Sequence, residues 1–177
     1  MEANRQGDSP FHSLGRRVAL PVSPSPALPR LRERGSKEAF HVNQVRVIGG
    51  AWRRRNLDFP DLDGLRPTPD RVRETLFNWL GQRLDGQACL DLFAGSGALG
   101  FEAASRGAAR VVMVERDGRA LAALRANRER LGASQVDIVG ADALAWLTAG
   151  TERFDVIFLD PPFAADLLPM ALAGGAT

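Results

Sequence analysis

Residues 160–163 read Asp-Pro-Pro-Phe and directly follow a short apolar run at residues 156–159. Such a run predicts a buried strand, and two consecutive prolines after it give a stiff, extended exit. This exit would hold the Asp160 carboxylate, the backbone carbonyl of Pro161 and the ring of Phe163 in one fixed arrangement. Hydrogen-bond acceptors beside an aromatic face suit a flat ring that carries an exocyclic amine. Taken alone, the same residues also fit a strand that ends in a tight turn.

A glycine-rich segment at residues 94–100 follows a second strand-like run and precedes a helix-like stretch. This order predicts a nucleotide-binding loop, because bare backbone can approach a ligand and a helix N-terminus faces it. The next apolar run ends in Glu115, 20 residues after Gly95. That spacing favours a carboxylate that binds the two hydroxyls of a ribose.

A parallel sheet would bring these residues together. After the glycine segment, strands alternate with helices: a helix capped by Asp117, a third strand at residues 135–139 and a fourth at residues 154–159. Such alternation predicts a right-handed parallel sheet with its ligand site at the carboxyl ends of the strands. The acidic residues expected at those ends are Asp91, Glu115, Asp142 and Asp160.

Two elements precede the sheet. Residues 44–59 predict a hairpin with a turn near Gly49, and Thr68 predicts a helix start as the capping residue before a proline. The buried face predicted for that helix consists of Val72, Leu76, Trp79 and Leu80. In the hairpin, Trp52 could either stack on a base or seal the hairpin against the domain.

These segments together resemble the class I S-adenosylmethionine-dependent methyltransferases. Residues 45–55 and 65–80 are similar to the N-terminal signature of the RsmD family, bacterial enzymes that methylate a guanine N2 amine of 16S ribosomal RNA in the small ribosomal subunit. The resemblance extends from about residue 44 to about residue 168.

The resemblance implies S-adenosylmethionine as the cofactor and 16S rRNA, in the small subunit or its assembly intermediate, as the partner. The catalytic group it implies is Asp160, Pro161, Pro162 and Phe163, which would hold the guanine. The cofactor-binding residues it implies are Asp91, Phe93, Ala94, Gly95, Gly97, Glu115, Asp142 and Ala143, with Asp142 on the adenine amine. The candidate RNA-binding residues are Arg53, Arg54, Arg55, Arg66 and Arg71. No metal is expected, because an in-line methyl transfer needs only alignment of donor and acceptor.

Composition narrows the class of protein. The chain has 177 residues, of which 45% are hydrophobic and 25% charged, as in a soluble domain with a substantial core. No apolar run is long enough to cross a bilayer, so no membrane partner is expected. The single cysteine, Cys89, rules out an internal disulfide and offers no set of metal ligands. We expect a cytoplasmic monomer.

Positive charge is concentrated near the start of the chain. Residues 43–73 contain seven arginines and four aspartates, whereas the residues that follow are net acidic. A basic segment on such a domain suits local binding of phosphate, although a solvated face with no partner has the same composition.

The domain boundaries follow from pattern and composition. Residues 1–42 are rich in Pro, Ser and Arg and lack periodicity, so we expect a disordered or spurious extension. Residues 43–177 should form an incomplete methyltransferase domain, with the hairpin and helix at 43–82 and the cofactor-binding core at 83–177. The predicted fold class is α/β, a Rossmann-like class I methyltransferase sheet truncated after its fourth strand, because only 14 residues follow Phe163. The fourth strand would then lie near an unprotected edge, unless a partner completes the sheet.

Other functions remain open on the sequence alone. A truncated, inactive fragment that binds S-adenosylmethionine or RNA fits the short C-terminal segment. DNA adenine-N6 methylation fits the Asp-Pro-Pro-Phe group. An NAD-dependent dehydrogenase fits the glycine segment and Glu115 but leaves residues 160–163 and the arginines unexplained.

Overall fold

A computed structural model of the protein describes residues 42–161 together with the backbone of residues 17–19. In chain order its strands are β1 (Arg17–Ala19), β2 (Val42–Arg46), β3 (Asn56–Pro60), β4 (Ala88–Asp91), β5 (Arg110–Glu115), β6 (Val136–Gly140) and β7 (Val156–Phe158). Its α-helices are α1 (Asp70–Leu80), α2 (Ala98–Ser105), α3 (Gly118–Leu131) and α4 (Ala143–Ala149).

Four of these strands form the predicted parallel sheet. The spatial order is β7-β4-β5-β6, and α2, α3 and α4 connect successive strands. The chain first builds outward from β4 through β5 to β6 and then returns to the other side of β4 with β7. In open α/β sheets a ligand binds where the strand order reverses, and here that point lies between β4 and β7. The α/β fold class is therefore confirmed.

Apolar side chains fill both faces of the sheet. Along β5, Val111 and Met113 belong to one buried cluster, whereas Val112 and Val114 belong to the cluster on the opposite face. This is the continuous apolar run expected of a strand covered on both sides. Cys89 is fully buried in β4, and its burial raises the pKa of the thiol to about 12. It is an apolar core residue, as predicted.

Helix α1 differs from its prediction in the residue at which it begins and in the side chains that it buries. It begins at Asp70 and not at Pro69, and the Thr68 hydroxyl makes no capping bond to it. Trp79, predicted to be buried, is 79% exposed. Arg73 and Phe77 are fully buried beside Leu76 instead.

The unexpected burial of Arg73 has a clear physical reason. Its guanidinium forms ion pairs with Glu102 (3.3 Å) and Asp70 (2.6 Å) and donates to the carbonyl oxygens of Arg46 and Thr68. A buried charge is tolerated when its donors are paired in this way.

The hairpin of β2 and β3 is antiparallel, as predicted, and its turn is fixed to helix α2. Glu102 accepts hydrogen bonds from the backbone N–H groups of Ile48 and Gly49, each at 2.8 Å. The Ser105 hydroxyl donates to the carbonyl of Gly49 (2.6 Å) and accepts from the N–H of Trp52 (2.9 Å). Trp52 is half-buried against the core, which agrees with the sealing role and not with a free stacking surface.

A second attachment joins the hairpin to helix α3. Asn127 is buried on α3, accepts from the N–H of Asp58 (3.1 Å) and donates to its carbonyl (2.8 Å). The helix itself begins as predicted, since the Asp117 carboxylate accepts from two backbone N–H groups of the first turn. It ends at Gly132, whose φ of 65° is in the left-handed region.

The edge of the sheet differs from the expected one. Strand β1 pairs in parallel with β7, with Arg17 opposite Val156, so β7 has hydrogen-bonded neighbours on both sides. Backbone groups of a buried strand need such partners. This short strand lies inside the segment 1–42 for which no regular structure was expected; the rest of that segment up to residue 41 lies outside the described residues.

None of the helices in the described part of the chain has the length and apolar character needed to cross a membrane.

Candidate functional site

A cavity of about 500 Å³ opens at the carboxyl ends of the parallel strands, beside the reversal point between β4 and β7. Its floor contains nine of the predicted site residues: Asp91, Phe93, Ala94, Gly95, Glu115, Asp142, Ala143, Asp160 and Pro161. The segment 62–69, between the hairpin and α1, forms the opposite wall. The order of strands and helices therefore brings the predicted acids together at one site.

Asp91 ends β4 and is 1% exposed. Its Oδ2 accepts a hydrogen bond from the N–H of Gly100 at 2.9 Å. Burial raises the pKa of Asp91 to about 7, the Gly100 hydrogen bond opposes this rise, and the negative charges of Asp160 and Glu115 add to it. A cation in the cavity would favour the ionised carboxylate.

Glu115 ends β5, and three backbone N–H groups hold its carboxylate. Oε2 accepts from Gly95, whereas Oε1 accepts from Arg116 and Asp117, all at 2.8 Å. A carboxylate has about four acceptor positions, so Oε2 can still accept from a ligand hydroxyl. These contacts fix the orientation of the side chain before any ligand binds.

Asp142 follows β6 and caps α4. Its Oδ1 accepts from the N–H groups of Leu144 and Ala145, each at 3.1 Å. Among the described residues nothing donates to its Oδ2, so this oxygen is available to an amine in the cavity. Ala143, the first residue of α4, is buried beside it.

Gly97 does not line the cavity, although the sequence placed it with the cofactor-binding residues. It has a φ of 76° at the start of α2, and a Cβ there would lie 2.6 Å from the Leu124 side chain. The glycine thus permits a left-handed turn and close packing of α2 against α3.

Asp160 and Pro161 lie directly beyond β7, across the reversal point from Asp91. Burial raises the pKa of Asp160, and a hydrogen bond from Thr68 opposes that rise. The other two members of the group, Pro162 and Phe163, lie outside the described residues.

Sequence reasoning missed Thr68 as a site residue. Its hydroxyl donates to Asp160 Oδ2 at 2.7 Å, and the residue is 7% exposed. The two residues are 92 positions apart, and no local pattern signals a partner at that distance. The flanking prolines, Pro67 and Pro69, gave no signal either, since an extended residue before a proline is equally expected at a helix N-cap.

The candidate RNA-binding arginines fall into two groups. Arg66 lines the cavity, and Arg71 is exposed on the first turns of α1. Arg53, Arg54 and Arg55 are exposed on the hairpin turn and do not line the cavity. Arg55 also donates to the carbonyl of Arg130 at 3.0 Å.

The cavity suits a ligand of the size and charge of S-adenosylmethionine. Its volume is within the usual range for small-molecule sites. Six carboxylates line it against three arginines, and burial raises the pKa of two of these carboxylates, Asp91 and Asp160. A ligand with a sulfonium and an ammonium group would bring positive charge to this net acidic lining. Residues 42–161 contain no cluster of three or more His, Cys, Asp or Glu side chains that could hold a metal ion.

Comparison with known proteins identifies relatives of the chain. The chain is 48% identical to ribosomal RNA small subunit methyltransferase D of Escherichia coli K12 over 125 residues, which are 71% of this chain and 63% of that protein. It is 45% identical to the Haemophilus influenzae protein of the same name, over 73% of this chain and 69% of that one. A solved structure of a putative methyltransferase from Escherichia coli superposes with a TM-score of 0.69 at 42% identity, covering 75% of this chain and 72% of that chain.

The chain thus spans about 63% of the length of its Escherichia coli relative. The family model described as Conserved hypothetical protein 95 matches residues 45–173. The chain belongs to that family, the RsmD family whose signature its sequence carries.

Proposed function

We propose that this protein transfers the methyl group of S-adenosylmethionine to the exocyclic N2 amine of a guanine in 16S rRNA. The observation that carries the proposal is the convergence of Asp91, Glu115, Asp142 and Asp160 on one cavity at the carboxyl ends of four parallel strands. The names of the relatives, ribosomal RNA small subunit methyltransferase D, support the choice of substrate.

In this proposal the cofactor lies along the floor of the cavity. Glu115 accepts from the ribose hydroxyls, because its carboxylate is already oriented by three backbone N–H groups. Asp142 Oδ2 accepts from the adenine amine, and Asp91 with the loop 93–97 lies beside the methionine portion. When bound, the cofactor supplies an activated methyl group on a sulfonium.

The acceptor nitrogen needs help because its lone pair is delocalised into the guanine ring. Asp160 and the carbonyl of Pro161 accept from the N–H bonds of that amine, which favours a pyramidal nitrogen and stabilises the positive charge that develops there. Phe163 would stack on the base. The protein's main contribution is then alignment of the two reacting atoms in a cavity closed by the segment 62–69.

RNA would approach over the basic side of the hairpin and α1. Arg66 lies at the cavity, where it can contact phosphates next to the target base. Arg53 and Arg54 on the hairpin turn and Arg71 on α1 are exposed to solvent. We assign residues 43–82 to RNA binding and closure of the site and residues 83–177 to cofactor binding. The protein would act as a cytoplasmic monomer on the small subunit or its assembly intermediate.

Calorimetric titration tests the cofactor. We expect S-adenosylmethionine to bind at one site and NADH not to bind. Binding of NADH without S-adenosylmethionine would instead support the dehydrogenase alternative.

Methyl transfer tests the reaction and its substrate. Small ribosomal subunits that lack the modification are incubated with the protein and labelled cofactor, and the nucleosides of the digested RNA are separated. We expect label in N2-methylguanosine. Cofactor binding without incorporation would show that the chain is an inactive binding fragment, and label in DNA adenine would overturn the RNA substrate.

A further inference from the structure

We propose that Thr68 is a positioning residue for methyl transfer: its hydroxyl holds the Asp160 carboxylate so that Oδ1 faces the acceptor amine. This inference rests on the proposed function. It assigns a role to the segment 62–69 that goes beyond covering the cavity.

The hydrogen bond itself is short and sheltered. The Thr68 hydroxyl donates to Asp160 Oδ2 at 2.7 Å, and Thr68 is 7% exposed. Within the described residues no other donor contacts the Asp160 carboxylate. Oδ2 thus already accepts from the hydroxyl, whereas Oδ1 accepts from no described donor and has both of its acceptor positions open to a ligand.

The backbone that carries this hydroxyl is also held in place. The carbonyl of Thr68 accepts from Arg73 Nε at 3.1 Å, and Arg73 is fully buried between Glu102 and Asp70. Proline on either side of Thr68 restricts the backbone further. The position of the donor is therefore set by the fold and not by the ligand.

The hydrogen bond also acts on the charge of Asp160. A donor to the ionised carboxylate stabilises that form, whereas burial favours the protonated form, in which one oxygen carries a proton and becomes a donor. The negative charge of Asp160 in turn adds to the raised pKa of Asp91 at the end of β4, as does that of Glu115 at the end of β5. The other charged side chains that line the cavity are Asp63, Arg66, Arg116, Asp117, Arg119 and Asp142.

The test compares two variants that differ in one group. Thr68→Val removes the hydroxyl and keeps the shape, and Thr68→Ser keeps the hydroxyl. We expect Thr68→Val to lower kcat by about 10- to 100-fold, because a misplaced acceptor disturbs alignment. The KM for S-adenosylmethionine should stay within about twofold. Thr68→Ser should restore most of the rate.

A matched control uses a second threonine of the same region. Thr75 is exposed on α1, its hydroxyl donates to the carbonyl of Arg71, and it does not line the cavity. Thr75→Val should keep the wild-type kcat. Thr68→Ala provides a second hydroxyl-free variant where valine prevents folding.

A carbon-13 titration of the Asp160 carboxyl gives a readout that does not need activity. We expect its pKa to rise in Thr68→Val and Thr68→Ala and to stay at the wild-type value in Thr68→Ser. Unchanged kcat and unchanged Asp160 pKa in the hydroxyl-free variants would overturn the inference, as would an equal loss in Thr68→Ser. If the wild type transferred no methyl group but the Thr68 variants showed the expected shifts in the Asp160 pKa, only the proposed function would be overturned.

Discussion

Arg73 and Glu102 form an ion pair whose two side chains are both completely buried, with Arg73 Nη1 3.3 Å from Glu102 Oε2. The same glutamate also accepts from Arg106 Nε and from the N–H groups of Ile48 and Gly49, each at 2.8 Å. One carboxylate thus joins helix α2 to the hairpin turn and to helix α1. Because Arg73 in turn holds Thr68, the network extends to the wall of the cavity.

Replacing Glu102 tests this network. Glu102→Gln keeps the size of the side chain but leaves Arg73 as a buried charge without its buried partner, so we expect a loss of about 3 kcal/mol in the free energy of unfolding. Urea denaturation measures it. The control is Asp85→Asn at the exposed Arg83–Asp85 pair, which should leave the urea midpoint unchanged. Equal midpoints for Glu102→Gln and the wild type would show that the network is not stabilising.

Gly97 offers a prediction about packing and backbone conformation. In Gly97→Ala the added methyl group would meet Leu124 at 2.6 Å and Phe101 at 2.7 Å, at a φ of 76°. Overpacking and left-handed strain together should cost about 2–4 kcal/mol. Gly118→Ala is the matched control, since Gly118 begins α3 with nothing within 4 Å of its Cβ position. Thermal unfolding should show no loss for Gly118→Ala; a similar loss in both variants would contradict the packing argument.

Asp91 predicts a pH dependence of stability. Its pKa is raised by burial from 3.8 to about 7, so the folded state binds a proton more tightly than the unfolded state. The stabilisation that this provides is complete below about pH 4 and is lost as the pH rises to about 7. In Asp91→Asn the free energy of unfolding should fall less steeply with pH over this window than in the wild type. The difference between the two slopes should reach up to about 1.4 kcal/mol per pH unit.

Urea titrations at several pH values compare the two slopes. The asparagine oxygen can still accept from the N–H of Gly100, so the loop geometry is retained. Parallel slopes for the wild type and Asp91→Asn would show that Asp91 does not bind the extra proton.

Glu115 predicts a change in cofactor affinity. Glu115→Gln removes the charge that is oriented toward the cavity, and hydrogen bonds to a charged group contribute about 1.5–3 kcal/mol. We expect the Kd for S-adenosylmethionine to rise by about 10- to 100-fold in calorimetric titration. Glu152→Gln is the control, because Glu152 pairs with Arg110 on the surface and does not line the cavity. If the wild type, Glu115→Gln and Glu152→Gln all had the same Kd, Glu115 would not be a cofactor-binding residue.

The elements set by local pattern were predictable from sequence. Alternating apolar runs and helices gave the parallel sheet, and Asp117 and Gly132 marked the limits of α3. The convergence of acids followed from topology, because the carboxyl ends of parallel strands share one edge. Each of these features depends on residues close together in the chain or on a general rule of sheet winding.

Features that depend on distant partners were not predictable. Apolar periodicity put Trp79 inside and gave Arg73 no buried role, since the pattern contains no information about Glu102 or the carbonyls that accept from Arg73. The same reason applies to Thr68, whose local pattern is that of a helix cap, and to β7, whose outer neighbour β1 has no local signal in the sequence.

The hydrogen bonds that hold the hairpin have a thermodynamic consequence for the RNA binding that we propose. Asn127 on α3 binds β3 from one side and Glu102 on α2 binds the turn from the other, so the hairpin that carries Arg53 and Arg54 is hydrogen-bonded to two helices of the domain. The conformational entropy of ordering that backbone is lost when the chain folds and not when a polyanion arrives. Only the arginine side chains then remain to be immobilised on contact, which leaves more of each charge interaction available as net affinity.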